Sequence, residues 1–469
     1  MIAIDIKNII LKYMYNLPDI INLYNLSKYH QDNIFITDLY KIKSSYLKKM
    51  SQKVIMQSKF RNVNALNLSY NEYVHCINHL GKTLKILDCR SSNLQQIGIS
   101  KLEVINELYV CDNKFINDVN HLKSTLFKLE CCNDSAIDQN GIKHLSLKIL
   151  RACSNENIID VNHMSHSLLR LHCGYSSGLD QKGINGLKLL QKLNLKFNKK
   201  IFNVNHLQNT LVKLNCSFSN LDQDGINDLK ILKNLETQSN FKIFNVNHLS
   251  SSLISLDCRD GSSINQQGID GLKNLIKLNT NGNYKITNVN HLSQSLEELS
   301  CVSFKGFHDK SGGIDQNGIK DLRKLKILYA TGNPNIKNVN HLADCLKVLS
   351  CEYEHCGINQ EGIQYLKKIE KLDASCNTHI NNVNHLANTL RSLQCTGKSG
   401  IDQKGISGLK KLESLRCESN YNIKDLNHLS ETLTWLMCSY GQSAVSINGV
   451  KNLRLNEFIK VSAGGINKI

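Results

Sequence analysis

Apolar residues fall along this chain in a fixed alternation with polar ones, and the alternation repeats. One stretch displays it: Asn247-His248-Leu249, Leu253, Leu256 and Cys258, then Ile264-Asn265-Gln266-Gln267-Gly268-Ile269, then Leu272, Leu275, Leu278 and Asn283. At Asn290-His291-Leu292 the phrase begins again. An Asn-His pair marks each copy, at His79, His121, His163, His206, His248, His291, His341, His385 and His428; successive pairs lie 42 to 44 residues apart, save for a longer interval between His291 and His341. A period of that size predicts stacked units that touch only their neighbours, instead of one central core.

Each unit is double. Its first half reads His-Leu-x-x-x-Leu-x-x-Leu-x-Cys and then Ile-Asp-Gln-x-Gly-Ile; its second half reads Leu-x-x-Leu-x-x-Leu-x-x-x-x-Asn and returns to Asn-His-Leu. Each half, roughly 21 residues, predicts one coil: a short strand with its leucines turned inward, then a loop and a short helical turn leading back. Asp138, Asp180, Asp222, Asp315 and Asp402 precede Gln-x-Gly-Ile, as an N-cap would. Asn71, Asn113, Asn155, Asn198, Asn240, Asn283, Asn333, Asn377 and Asn420 hold one position and predict a ladder of amides that satisfies backbone groups at the bend. Together these residues, over 61–455, resemble the leucine-rich-repeat family. The resemblance implies an α/β solenoid, with a parallel β-sheet on a concave face and short helices or turns on the convex one.

Residues 1–45 stand outside the array. Ile6, Ile9, Ile10 and Tyr13 have helical spacing, as do Ile20, Leu23 and Leu26, and Pro18 suits the start of the second helix. The string with Ile10, Leu11, Leu17, Pro18, Ile20, Ile21, Leu23 and Leu26, ending Ser27-Lys28-Tyr29-His30, resembles an F-box. It departs from that family at Ile4-Asp5, where Leu-Pro is usual, and at His30, where Trp is usual. The resemblance implies docking on a Skp1-type adaptor of a cullin ubiquitin ligase; without it, the segment reads as a cap that seals the first coil. Residues 46–60 read as a connecting helix and 456–469 as a loose tail. The combination, with its Asn-, Ile- and Lys-rich composition, resembles F-box and leucine-rich-repeat proteins of amoeba-infecting giant viruses. That implies a substrate receptor acting on host proteins.

Seventeen cysteines change the picture less than their number suggests. Cys89, Cys131, Cys173, Cys216, Cys258, Cys301, Cys351, Cys395 and Cys438 share the inward strand position of the first half-unit. Equivalent ones lie two coils apart, about 10 Å at about 4.8 Å per strand, beyond the reach of a disulfide. They read as small core residues in a reducing compartment. The N-terminus lacks the basic and apolar regions of a signal peptide. No apolar run approaches the length of a membrane span. A cytoplasmic monomer without membrane association is expected, in the host cytoplasm if the chain is viral. The formal net charge of +17 could serve nucleic acid. Yet no long Lys or Arg run occurs and aromatic residues are few, so lysine spread over the convex face is the simpler reading.

No catalytic or cofactor constellation emerges. The repeated histidines fall about 10 Å apart, too far to share one metal ion, and read as structural. The recurrent glycines are single, so they form no phosphate cradle. No enzymatic activity, cofactor or metal is expected. The candidate site is instead the strand face, where residues flanking the inward pair point outward by the period-two rule. It carries Arg151, Arg170, His172, Lys192, Asn194, Lys196, Lys213 and Asn215 in the middle coils. Glu298, Tyr329, Glu352, Arg416, Glu418, Trp435 and Met437 follow toward the C-terminus. A basic region thus precedes an aromatic and acidic one, and a protein target held on this face is the expected partner. The longer interval holds an insertion within 302–312, which reads either as a binding loop built on Phe304 and Phe307 or as an idle insertion.

Overall fold

In the coil that begins at Lys128–Glu130, Leu129 and Cys131 alternate with polar neighbours, and both are fully buried. Asn133 then adopts a left-handed backbone, with φ at 56°, which turns the chain out of the strand. Asp138 accepts a hydrogen bond from Gly141 N at 2.9 Å and caps the four-residue helix Gln139–Ile142. A Cβ at Gly141 would lie 2.0 Å from the carbonyl oxygen of Asn117 in the preceding coil. Only glycine permits that approach. The next strand, Ile149–Arg151, pairs in parallel with the first, Leu129 beside Leu150.

The computed structural model describes residues 17–25, 35–42, 44–303, 313–439, 445, 448–454, 457–462 and 465–468. Its coils fall into two units, Met1–Ile231 and Leu232–Ile469. In the first, consecutive strands pair in parallel, and Leu66, Leu87, Leu108, Leu129, Leu150, Leu171, Leu193 and Leu214 form one buried row. The second repeats this with a row from Leu235 through Leu256 and Leu278 to Leu415 and Leu436. A one-residue slip would turn each row into water, so burial specifies the register. The insertion leaves that register intact, since Leu299 pairs with Leu328 across it; Phe304 and Phe307 lie outside the described residues. Each unit is a leucine-rich-repeat solenoid, with the sheet on one side and short helices or 3-10 turns on the other.

Both ends differ from the sequence reading. Residues 46–60, read as one connecting helix, instead hold the end of a four-residue helix, Ser44–Leu47, then the helix Gln52–Ile55 and a 3-10 turn, Ser58–Phe60. The segment follows the coil template. Asn71 Nδ2 donates to the Leu47 and Met50 carbonyls at 2.6 and 2.9 Å, and the His79 ring nitrogen meets the Ile55 carbonyl at 3.1 Å. With Leu39, Ile42, Leu47, Ile55 and Phe60 buried, this partial coil covers the core edge that the first full coil would expose. At the other end, Glu457–Ser462 pairs with Trp435–Ser439, and Gly465–Lys468 folds back on it antiparallel. The stretch read as loose is a hairpin. Of the F-box-like residues, the helix Leu17–Tyr24 starts at Leu17-Pro18 and buries Ile20, while Ile10, Leu11 and Leu26 lie outside the described residues.

Candidate functional site

The repeated polar residues of the return side are occupied by the fold. His121, His163, His206, His291, His341, His385 and His428 each place a ring nitrogen 3.0–3.1 Å from an isoleucine carbonyl of the preceding coil. The Asn before each His clamps the following coil: Asn120 Nδ2 donates to Asn140 O at 2.8 Å, and Asn120 Oδ1 accepts from His144 N at 2.9 Å. The repeated Gln was not singled out from the sequence, yet it is a second clamp. Gln139 Oε1 accepts from Ile159 N and Asp160 N at 3.0 and 2.9 Å, while its Nε2 donates to Asp160 O at 2.9 Å. Its recurrence at a fixed place was the available signal. Among the described residues no group of three or more His, Cys, Asp or Glu is arranged to hold a metal ion, and no helix is long and apolar enough to cross a membrane.

The strand face of the first unit divides in two. In the earlier coils charges are matched locally. Arg90 grips the fully buried Asp88 carboxylate through two bonds of 2.9 and 2.6 Å, which holds the guanidinium pKa up. Lys128 donates to Tyr109 Oη at 2.6 Å and to Glu107 at 3.2 Å, and the Tyr109 hydroxyl donates to Glu107 at 2.6 Å. Arg151 reaches back to Glu130 at 3.7 Å and so belongs partly to this matched region.

After Arg151 the next two basic strand positions differ. Arg170 sits beside Lys192 and Lys192 beside Lys213 in the parallel register. From Arg170 to Ser217 no strand or immediately following position carries a carboxylate. Among the described residues, no carboxylate pairs with Arg170 or Lys192. His172 lies between Arg151 and Asn194 in register. Burial first, then the charges of Arg151 and Lys213, push its pKa down to about 4. The imidazole is therefore neutral at pH 7, and the positive potential comes from arginine and lysine.

Aromatic rings line the edge of this basic region. Tyr175, Phe197 and Phe218 follow three successive strands and stack, with centroids 5.0 and 4.4 Å apart. Lys196 Nζ lies 5.5 Å from the Phe197 ring centroid and 5.9 Å from that of Phe218. All three hold a left-handed backbone, φ 59°, 64° and 55°. Equivalent sites elsewhere include Tyr70 and Tyr353 as well as Ser91, Asp112, Asn133 and Gly282; Gly, Asn and Asp adopt this conformation most cheaply. Tyr175 remains 49% and Phe197 37% exposed. Here the chain tolerates bulky residues in strained backbone while leaving their rings partly in water.

The second unit's strand face is more acidic and more fully paired. Lys277 meets Glu298 at 2.8 Å, Arg416 meets Glu418 at 3.0 Å, and Arg391 pairs with Glu413. Glu352 accepts from Thr331 and Ser350, each at 3.0 Å. Tyr329 lines a cavity of about 290 Å³ with Glu236, Asp257, Lys277 and Glu298. Trp435 lines another of about 400 Å³ with Gln394 and Arg416, and Met437 pairs in register with Arg416. The structure thus places the basic set and Tyr329, Trp435 and Met437 on strand faces of different units.

Each unit has a leucine-rich-repeat fold, and several solved structures are similar to the chain. TLR13, in a complex with ssRNA13, is 19% identical, with a TM-score of 0.47 over 84% of this chain. This chain spans 59% of the TLR13 chain. The functional domain of InlJ from Listeria monocytogenes is 20% identical, with a TM-score of 0.40 over 81% of this chain and 74% of its own. The internalin InlF from Listeria monocytogenes is 19% identical, with a TM-score of 0.37 over 74% of this chain and 92% of its own. At that identity none of them passes a ligand or an activity to this chain. No family model matches the sequence, and no curated protein matches it.

Proposed function

We propose that this chain is a non-enzymatic recognition scaffold that holds an acidic protein segment on the strand face of its first unit. The observation that carries the reading is the pair Arg170 and Lys192, in register and without a carboxylate partner among the described residues, beside Lys196 and the rings of Tyr175, Phe197 and Phe218. Like charges in register destabilise a sheet by up to about 1 kcal/mol per pair, and strained backbone costs roughly 1–3 kcal/mol per residue. A partner that supplies carboxylates and apolar surface relieves the first and uses the second. Arginine and aromatic side chains are also the commonest interface anchors.

The finer reading makes the scaffold a ubiquitin-ligase substrate receptor. It rests on the F-box-like string around Leu17-Pro18 and on the helix that starts there. In it, residues 1–45 dock a Skp1-type adaptor, the solenoid presents a host protein for ubiquitylation, and the chain works in the cytoplasm as a monomer. The experiment has two arms. Purified Skp1-type adaptor should be retained by the full chain and lost with Leu17→Asp combined with Ile21→Asp; retention by the variant removes the ligase role. Poly-glutamate should bind the full chain and lose affinity roughly tenfold with Arg170→Glu plus Lys192→Glu. Preference for single-stranded RNA over poly-glutamate, with a steep salt slope, would replace the protein partner by nucleic acid.

A further inference from the structure

The inward cysteines two coils apart are sealed in the core, but three others follow a different rule. Cys111, Cys132 and Cys153 take the same place in three consecutive coils, just past the strands Glu107–Tyr109, Lys128–Glu130 and Ile149–Arg151. Those strands pair Tyr109 with Glu130 and Glu130 with Arg151. The alignment continues beyond them: Asp112 N donates to Cys132 O at 3.3 Å, and Asn133 N to Cys153 O at 2.8 Å. Each cysteine Cα thus lies about one strand spacing, about 4.8 Å, from the next. That is within the roughly 4.4–6.8 Å over which a disulfide closes.

Hydrogen bonds tie these cysteines to the neighbouring coils. Cys132 N donates to Cys111 Sγ at 3.1 Å, and the Cys132 thiol donates to the Arg151 carbonyl of the next coil at 3.5 Å. Cys132 and Cys153 are partly exposed and Cys111 is buried. The Cys132 thiol's hydrogen bond, helped by the Gly174 amide and the Arg151 charge, outweighs burial and pulls Cys153 down to about 6. Cys132 is pushed the other way, up, by its neighbours Cys111 and Cys153 and by burial. In the core the opposite holds, and burial pushes Cys301 and Cys395 up to about 12. A partly exposed thiol in electropositive surroundings is where cysteine reactivity concentrates.

We propose that Cys153 and Cys132 form a peroxide-reactive thiol site on the first unit, with Cys153 as nucleophile and Cys132 as resolving thiol. In the first step the Cys153 thiolate attacks hydrogen peroxide. An S–O bond forms, the O–O bond breaks and hydroxide leaves, so sulfur is oxidised by two electrons and peroxide is reduced. In the second step Cys132 sulfur attacks the sulfenic acid. The S–S bond forms, the S–O bond breaks, and the Cys132 proton departs with the hydroxyl as water. Cys111 stays reduced beneath them.

The test uses the full-length chain. Iodoacetamide labelling of Cys153, read by peptide mapping across pH, should be half-maximal near pH 6, against about 8.5 for an ordinary thiol. Treatment with a few equivalents of hydrogen peroxide should give a Cys132–Cys153 cross-linked peptide before Cys345 or Cys376, also partly exposed, is oxidised. In Cys132→Ser the cross-link should be replaced by a dimedone adduct on Cys153. Labelling of Cys153 with a midpoint near 8.5, oxidation of Cys345 or Cys376 at the same rate, or a disulfide from Cys132 to Cys111 would each overturn the assignment. The labelling profile needs no variant, so it decides the matter even if Cys132→Ser fails to fold.

Discussion

A single asparagine shows how residue chemistry holds the coil. Asn155 is fully buried. Its Nδ2 donates to the Cys131 and Ile137 carbonyls at 2.9 and 3.0 Å, and its Oδ1 accepts from Asn157 N at 3.0 Å. Asn155→Ala removes all three partners and leaves buried backbone groups unsatisfied, so a loss of about 2–4 kcal/mol is expected; urea unfolding would measure it. The histidines set a pH dependence. Burial lowers His79, His206, His291, His341 and His385 below 6.5. The unfolded chain therefore binds protons more readily than the folded one. Stability is full above about 6.5 and declines as pH falls through that value toward the folded ones. The thermal midpoint should drop between pH 7 and 5, and His291→Gln should lessen the drop, because an amide still reaches the Ile269 carbonyl but does not titrate. Equal drops in both proteins would rule this cause out.

At the scale of the strand, recognition and stability pull in opposite directions. Lys192→Glu places a carboxylate beside Arg170 and Lys213 in register. It should raise stability slightly, by a few tenths of a kcal/mol up to about 1 kcal/mol per pair, seen as a higher thermal midpoint, while weakening capture of an acidic partner. Phe197→Asn replaces a bulky left-handed residue with one suited to φ 64°. Its stability should hold or rise while affinity falls; a fall in stability with unchanged affinity would make the aromatic stack a packing feature only. The basic side chains of this region were legible from period-two alternation. The gap between matched and unmatched charge was not, because the pairing of Arg151 with Glu130, and the lack of such a partner for Arg170 among the described residues, depend on the coil alongside.

At the scale of the whole chain, nearly every hydrogen bond among the described residues joins a coil to itself or its neighbour, as in the Gln139, Asn155 and His163 contacts. Stability is then a sum of local terms, and unfolding need not be all-or-none. Trp435, the single tryptophan, reports from the second unit. Its fluorescence in urea should follow a different transition from far-UV circular dichroism; coincident curves would show one cooperative block. The sequence by itself determined the coil, its period, the inward leucines, the asparagine ladder and the structural role of histidine, since each is a residue type repeated at an equivalent place. The tertiary structure alone decided which non-equivalent residues become neighbours: the Cys111–Cys132–Cys153 row, the aromatic stack, the charge matching and the terminal hairpin. A repeat identifies positions that correspond two coils apart, whereas side-chain contact is made one coil apart, about 4.8 Å across the sheet.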